Sequence, residues 1–415
     1  MKLAAVFAAA LLAGPAAGQP LGGRIGFYQW SGVAPGWPEA DLLTAARQRA
    51  VALGSRVFRF YLGGRFDYRL PELDPRRFES DLEGPLTLAR LLDIPRYRAV
   101  LTDPALETVV LTAYSIADYG GGPDEVSLLR PFGADERRLV QRQIGELADK
   151  LYGEFGQTRK TIILANHEAD EKLIEILDHT GDLEMAVQNL SGWTRARFEA
   201  LDTARGAHPN SLLELYLAFE VSAVHLNVAE ARGRARKTSW SEGTNALRAV
   251  APLVEVDLVS YSAYESTNSP YRTQSSEAPP GQVAERLARD LDVIRGRAAA
   301  SISAVGRRAF GDRFVMLGEL GFDRHRFEPA ASGGLLPRLF HAIDAALDWG
   351  CPYIVIWQLF DAPQFGARSP RYGMYDSSGQ PAPLRPAAGC ASVAGCLESA
   401  LREDDLKAWQ PPPEP

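Results

Sequence analysis

Cysteine is scarce in this chain, with three among 415 residues. No CxxC pair occurs, and the six histidines are scattered without HxxxH or HxH spacing. A dedicated metal centre is therefore not expected. No stretch beyond the first residues reaches the ~18 apolar residues of a membrane-spanning helix, so stable membrane insertion is not expected. No glycine-rich phosphate turn follows an early strand-like run, which counts against an open doubly wound sheet. Basic charge is in deficit, with 45 Lys and Arg against 52 Asp and Glu, a net charge of −7 and a pI near 5.6. That balance does not suit a polyanion, and nucleic acid is set aside as a partner.

What is present begins with a leader-like start. Lys2 precedes the apolar run Leu3 to Gly14, and Ala16-Ala17-Gly18 offers small residues for cleavage. The pattern predicts a signal peptide over 1–18 and a secreted or periplasmic protein starting at Gln19. No cysteine follows the run, so a lipid anchor is not indicated. In an oxidising compartment Cys390 and Cys396 predict a local disulfide within a C-terminal extension, 386–415. That extension ends in a proline-rich tail, Trp409 to Pro415, expected to be disordered. Cys351 enters an apolar run and reads as a small buried hydrophobe.

Between these ends, eight apolar, β-rich runs recur: 24–30, 56–62, 108–114, 161–166, 212–219, 256–261, 314–318 and 353–357. Helical periodicity separates them over 40–53, 135–155, 190–205, 283–310 and 335–349. Such alternation calls for a parallel sheet, and eight units are what an α/β (β/α)8 TIM barrel needs. The barrel is expected over 19–385 as one domain. The polar segment Glu265 to Gln282 reads as a loop at its active-site rim, with hydroxyls suited to a hydroxylated ligand.

Two of the apolar runs end in glutamate: Thr161-Ile-Ile-Leu-Ala-Asn-His-Glu168 and Phe314-Val-Met-Leu-Gly-Glu319. A carboxylate inside a buried strand is costly. At the carboxyl end of a barrel strand it reaches the rim where active sites form. Two carboxylates meeting there are the equipment for cleaving a glycosidic bond. Glu168 also opens the acidic stretch Glu168-Ala-Asp-Glu-Lys, which suits the positive end of a helix.

On these motifs the chain resembles the clan of retaining glycoside hydrolases built on a (β/α)8 barrel. In that clan an acid/base glutamate ends strand four and a nucleophile glutamate ends strand seven. The resemblance implies Glu168 as acid/base, Glu319 as nucleophile, no cofactor and a carbohydrate substrate. The clan places Asn directly before the acid/base; here His167 intervenes between Asn166 and Glu168. On a regular strand Asn166 and Glu168 would share a face, with His167 opposite, unless a bulge intervenes. Asn166 and His167 are carried as substrate-binding candidates.

Arg59, flanked by Phe58 and Phe60, should pair with a carboxylate, and the resemblance implies that it holds the nucleophile ionised. Tyr261 or Tyr264, ending strand six, should hydrogen-bond Glu319. Trp357, ending strand eight, is a candidate platform for a sugar ring. Glu220 and Glu265 are rival carboxylates, able to bind hydroxyls or to serve as the acid. Tyr28, Gln29 and Trp30 end strand one and are candidate lining. Two other classes are weighed: an inactive barrel that binds carbohydrate, and a metal-dependent hydrolase using His167, Glu168, Asp170 and His225. Sugar, linkage and oligomeric state are not legible.

Overall fold

A computed structural model of the chain describes residues 21–29, 42–62, 87–113, 128–228, 244–267, 279–323, 335–361 and 372–375. The leader, Trp30, the Cys390–Cys396 pair, the proline-rich tail and most of the 265–282 segment lie outside the described residues.

Eight strands are present: β1 Ile25–Gln29, β2 Val57–Leu62, β3 Thr108–Ala113, β4 Lys160–Ala165, β5 Leu213–Val221, β6 Leu258–Ser262, β7 Val315–Leu320 and β8 Ile354–Trp357. They pair in chain order, all parallel, and β8 pairs with β1 to close the barrel. The reason is in the runs themselves. Almost every strand residue is buried, because the sheet is covered outside by helices and filled inside by its own side chains. Alternation of polar and apolar residues would have left one face wet.

Helices α1 Leu42–Ala52, α2 Leu88–Leu91, α3 Pro95–Thr102 and α4 Ala134–Phe155 cover the first half. In α4, Val140, Ile144, Leu147 and Leu151 form the buried stripe, spaced three and four apart as a helix requires. Its first turn carries Asp135 and Glu136 at the positive end of the dipole. Glu136 also accepts the Gly133 backbone N–H at 3.0 Å, satisfying an orphan donor.

After β4 come α5 Ala169–Thr180 and α6 Leu183–Ala207. The sequence places a helix over 190–205 and a helix start at Glu168, the N-cap of α5, but not the break between them. Gly181 separates them: it adopts φ 74°, open to glycine, and closes α5 through its N–H to Leu177. Asp182 then caps α6 by accepting the Met185 N–H at 3.0 Å. The chain continues through α7 Ala246–Ala249, α8 Tyr264–Thr267, α9 Pro280–Ala298, α10 Ala304–Phe310 and α11 Leu335–Trp349. The single helix expected over 283–310 is thus two, because Ser303 starts a new one by capping the Gly306 N–H at 2.9 Å. Cys351 is fully buried and unpaired.

Candidate active site

The carboxyl ends of β2, β4, β5, β6, β7 and β8 bring the expected residues to one end of the barrel. Its floor is an ion pair. Arg59 of β2 reaches across the barrel to Glu220 of β5, with Nη1–Oε2 at 2.5 Å and Nη2–Oε1 at 2.8 Å. Both side chains are fully buried. Ser260 of β6 donates to Glu220 Oε2 at 2.6 Å, and the Glu168 backbone N–H donates to Oε1 at 3.3 Å. Arg59 also donates to Thr112 at 2.9 Å and lies over the Tyr28 ring, 4.4 Å from its centroid. Despite the cost of burial, Arg59 draws the Glu220 carboxyl below its ordinary range, so the pair is ionised.

Glu319 of β7 sits at the edge of this floor. Its Oε1 lies 3.7 Å from Arg59 Nη2 and 3.9 Å from His167 Nε2. The Tyr264 hydroxyl donates to Oε2 at 3.1 Å. Oε1 is buried and accepts no hydrogen bond among the described residues. Gly318 makes this placement possible. The β6–β7 register slips at Tyr261/Ser262, so that Ser262 pairs with Glu319. A Cβ on Gly318 would collide with Ser260 Oγ, Glu220 Oε2 and Arg59 Nη1. Only glycine lets β7 pass over the ion pair.

Glu168 arrives differently. Strand β4 stops at Ala165, so the pleat no longer governs Asn166, His167 and Glu168. Asn166 turns into the wall: its amide donates to the Glu220 carbonyl at 3.1 Å and accepts the Glu220 N–H at 2.8 Å. Glu168 adopts φ 25°, ψ 82° as the N-cap of α5, outside the usual regions for a residue with a side chain. That turn sends its carboxyl toward Glu319, Glu220 and Glu171. His167 faces Glu319, and burial keeps its imidazole neutral.

The two glutamates differ electrostatically. Burial raises both. Glu168 is driven well above the carboxylate range, first by burial and then by the charges of Glu171, Glu319 and Glu220. Glu319 is pushed up to about 8 by burial and by Glu220, against the pull of Arg59 and the Tyr264 hydrogen bond. Arg59 and the Tyr264 hydroxyl stand against Glu319 and favour its ionised form, whereas the carboxylates around Glu168 favour its protonated form.

Tyr261 is fully buried and bonds Ser266 at 2.7 Å, away from Glu319. Ser266 donates to Asp290, which also pairs with His225 at 2.8 Å. Glu265 accepts the backbone N–H groups of Val224 and His225. Asp170 accepts those of Ser222, Ala223 and Ala246 at 2.7–3.0 Å. These residues fasten the loops after β5. Asp170 and His225 thus do not converge with His167 and Glu168 as a metal hydrolase would need. Instead His167, Glu168 and Glu171 each bring one potential ligand atom within 4.8 Å of the others, a spacing compatible with a cation. Trp357 meets Tyr28 edge to face with centroids 4.6 Å apart, and is 8% exposed.

Sequence reasoning missed three contributors. Tyr372 packs its ring 5.6 Å from that of Tyr264, and no pattern marks it. Ser260 is invisible as one polar residue in an apolar run. Glu171 was legible in principle: position i+3 from Glu168 on a helix places both on one face.

No protein-family model matches the sequence, and no curated protein matches it. Solved structures do share the barrel. A variant of GH5_18 from Streptomyces cattleya, in complex with Manβ1-4GlcNAc, aligns with a TM-score of 0.51 at 14% identity, over 94% of this chain and 83% of its own. ZgEngAGH5_4 in complex with a cellotriose aligns at 0.50 and 13%, over 92% of this chain and 96% of its own. A β-galactosidase from the psychrophilic Marinomonas ef1 aligns at 0.51 and 12%; the chain spans 59% of its length. At such identities the likeness is one of fold.

Proposed function

We propose that the chain is a glycoside hydrolase that cleaves O-glycosidic bonds with retention, Glu168 serving as acid/base and Glu319 as nucleophile. The observation that carries this is the asymmetry of the two buried glutamates. One has Arg59 and the Tyr264 hydroxyl beside it, which favour its ionised form. The other, at the start of α5, has carboxylates around it, which favour its protonated form. Environments that push two carboxyls toward opposite protonation states are what an acid and a nucleophile need.

The steps balance as follows. Glu319 Oε1, which accepts no hydrogen bond among the described residues, forms a bond to the anomeric carbon as the glycosidic C–O bond breaks. The Glu168 proton passes to the departing oxygen. Glu168, now ionised, takes a proton from water as that water's oxygen displaces Glu319. Arg59 is then a steadying charge beneath Glu319, and Trp357, backed by Tyr28, a wall for the sugar ring. Carbohydrate is the expected partner, as in the oligosaccharide complexes of the two GH5 structures. Export to a secreted or periplasmic location rests on the leader-like start.

A panel of aryl glycosides and polysaccharides tests this, assayed with wild type and Glu319→Ala. The variant is expected to lose about 10⁴-fold or more in kcat. Proton NMR of the first-formed anomer should show retained configuration. Inverted product would remove Glu319 from the nucleophile role.

A further inference from the structure

Tyr264 donates to Glu319 at 3.1 Å from a short element. Strand β6 has stopped at Ser262, and α8 is a single turn, Tyr264–Thr267. One turn is marginal as a helix by itself. The ring of Tyr264 is half-buried. Tyr372 packs against it, with ring centroids 5.6 Å apart and planes tilted by 55°. That is a spacing at which aromatic pairs attract. Tyr372 also meets the chain that carries Glu319. A Cβ on Gly321, two residues beyond Glu319, would lie 3.1 Å from Tyr372 Cδ1. The Tyr372 ring is therefore wedged between the tyrosine that bonds Glu319 and the backbone that bears it.

The wedge has a firm base. Tyr372–Tyr375 runs beside 358–361, the segment that follows β8. The Met374 N–H donates to the Gln358 carbonyl at 3.2 Å and the Tyr375 N–H to the Leu359 carbonyl at 2.9 Å. The Asp361 N–H donates to the Tyr375 carbonyl at 3.0 Å, and the Asp361 carboxylate accepts the Gly373 N–H at 2.8 Å. A Cβ on Gly373 would collide with Asp361 N and the Tyr375 carbonyl, so glycine lets the two strips close up. Tyr375 is buried, its ring 5.3 Å from that of Phe360. The Phe360 N–H in turn donates to Gln29 of β1 at 2.9 Å.

We propose that Tyr372 is a positioning residue for the nucleophile: its ring backs Tyr264 and keeps that hydroxyl on Glu319. This deepens the proposed role of Glu319 and rests on it. A phenol turns on two side-chain torsions, and its hydroxyl, at the far end, moves furthest when the ring tilts. A neighbour packed on the ring removes that freedom before substrate arrives. The backing comes from the ring face rather than from the Tyr372 hydroxyl, so phenylalanine can supply it and alanine cannot.

Two measurements test this, the first without substrate. Crystals of Tyr372→Ala should show the Tyr264 hydroxyl more than about 3.5 Å from Glu319, outside hydrogen-bond reach. Tyr372→Phe should keep it in place. Tyr372→Leu, which retains apolar bulk, gives the same comparison if the alanine variant does not fold. A Tyr264–Glu319 bond that survives loss of the Tyr372 ring overturns the proposal, whether or not any glycoside is cleaved. The second measurement uses an aryl glycoside that the wild type hydrolyses. Tyr372→Ala should lower kcat about tenfold and leave KM within about twofold, and Tyr372→Phe should recover most of the loss. With Tyr264→Phe already in place there is no hydroxyl to aim, so Tyr372→Ala should then cost less than about twofold more. An undiminished loss in that background, or a raised KM with kcat unchanged, overturns the proposal and gives Tyr372 a direct contact with substrate or a purely structural role. A displaced Tyr264 hydroxyl in a protein that hydrolyses no aryl glycoside supports the backing role and removes the glycosidase reading instead.

Discussion

Tyr261 and Tyr264 are three residues apart and face different partners. Tyr261 ends on Ser266, inside the wall; Tyr264 ends on Glu319. The sequence could not choose between them, because strand β6 stops at Ser262 and the turn into α8 decides where each hydroxyl points. Tyr264→Phe should cost about 1.5–3 kcal/mol, ten- to about a hundredfold in kcat/KM. It should also shift the acid limb. The hydroxyl favours ionised Glu319, so its loss raises the pH at which the carboxylate forms, and the limb moves alkaline. A pH–rate profile with an unmoved limb would deny Tyr264 this role. Glu168 makes a second prediction. Its folded pKa lies above the unfolded value of about 4.3. Below that value both states hold the proton and it adds no pH dependence. As pH rises the unfolded chain ionises first, so the carboxyl progressively weakens folding until its own midpoint is passed. Glu168→Gln should therefore gain thermal stability over wild type as pH rises above about 4. Parallel Tm curves would contradict this.

At the scale of elements, the strands were legible and the joints were not. Continuous runs such as Thr-Ile-Ile-Leu-Ala have no polar side to offer water, so eight buried parallel strands followed directly. The ordinal positions of Glu168 and Glu319 followed as well. The face of Asn166 did not. Alternation was applied across Asn166-His167-Glu168, but β4 had already ended, and the amide turned to the β5 backbone instead. Glu220, expected to meet a sugar, has both oxygens occupied by Arg59, Ser260 and a backbone N–H. Such cross-barrel pairings leave no periodicity in sequence. Nor did the apolar pattern reveal that Gly318 was needed. Gly318→Ala should cost about 1–3 kcal/mol through overpacking against the ion pair. By displacing the adjacent Glu319, it should also lower kcat on the order of 10²-fold. Wild-type activity in this variant would show that β7 has slack the geometry does not suggest.

For the molecule as a whole, the Arg59–Glu220 pair matters most. It joins β2 to β5, strands that are not neighbours, through the middle of the barrel. Glu220→Ala would leave a guanidinium buried without its counter-charge. The expected loss is about 3–5 kcal/mol in denaturant unfolding, whatever the effect on chemistry. A midpoint within error of wild type would mean that Glu319 can take over the pairing.

The clasp made by Asp170 has a longer reach. It anchors the helix bearing Glu168 and Glu171 to Ser222, Ala223 and Ala246. Between those anchors the Val228 N–H donates to the Thr244 carbonyl at 2.8 Å. Val228 and Thr244 are thus joined side by side, one doorway in the wall of the barrel. The start of α5 is thereby held by backbone N–H groups on both sides of that doorway, and Glu168 with it.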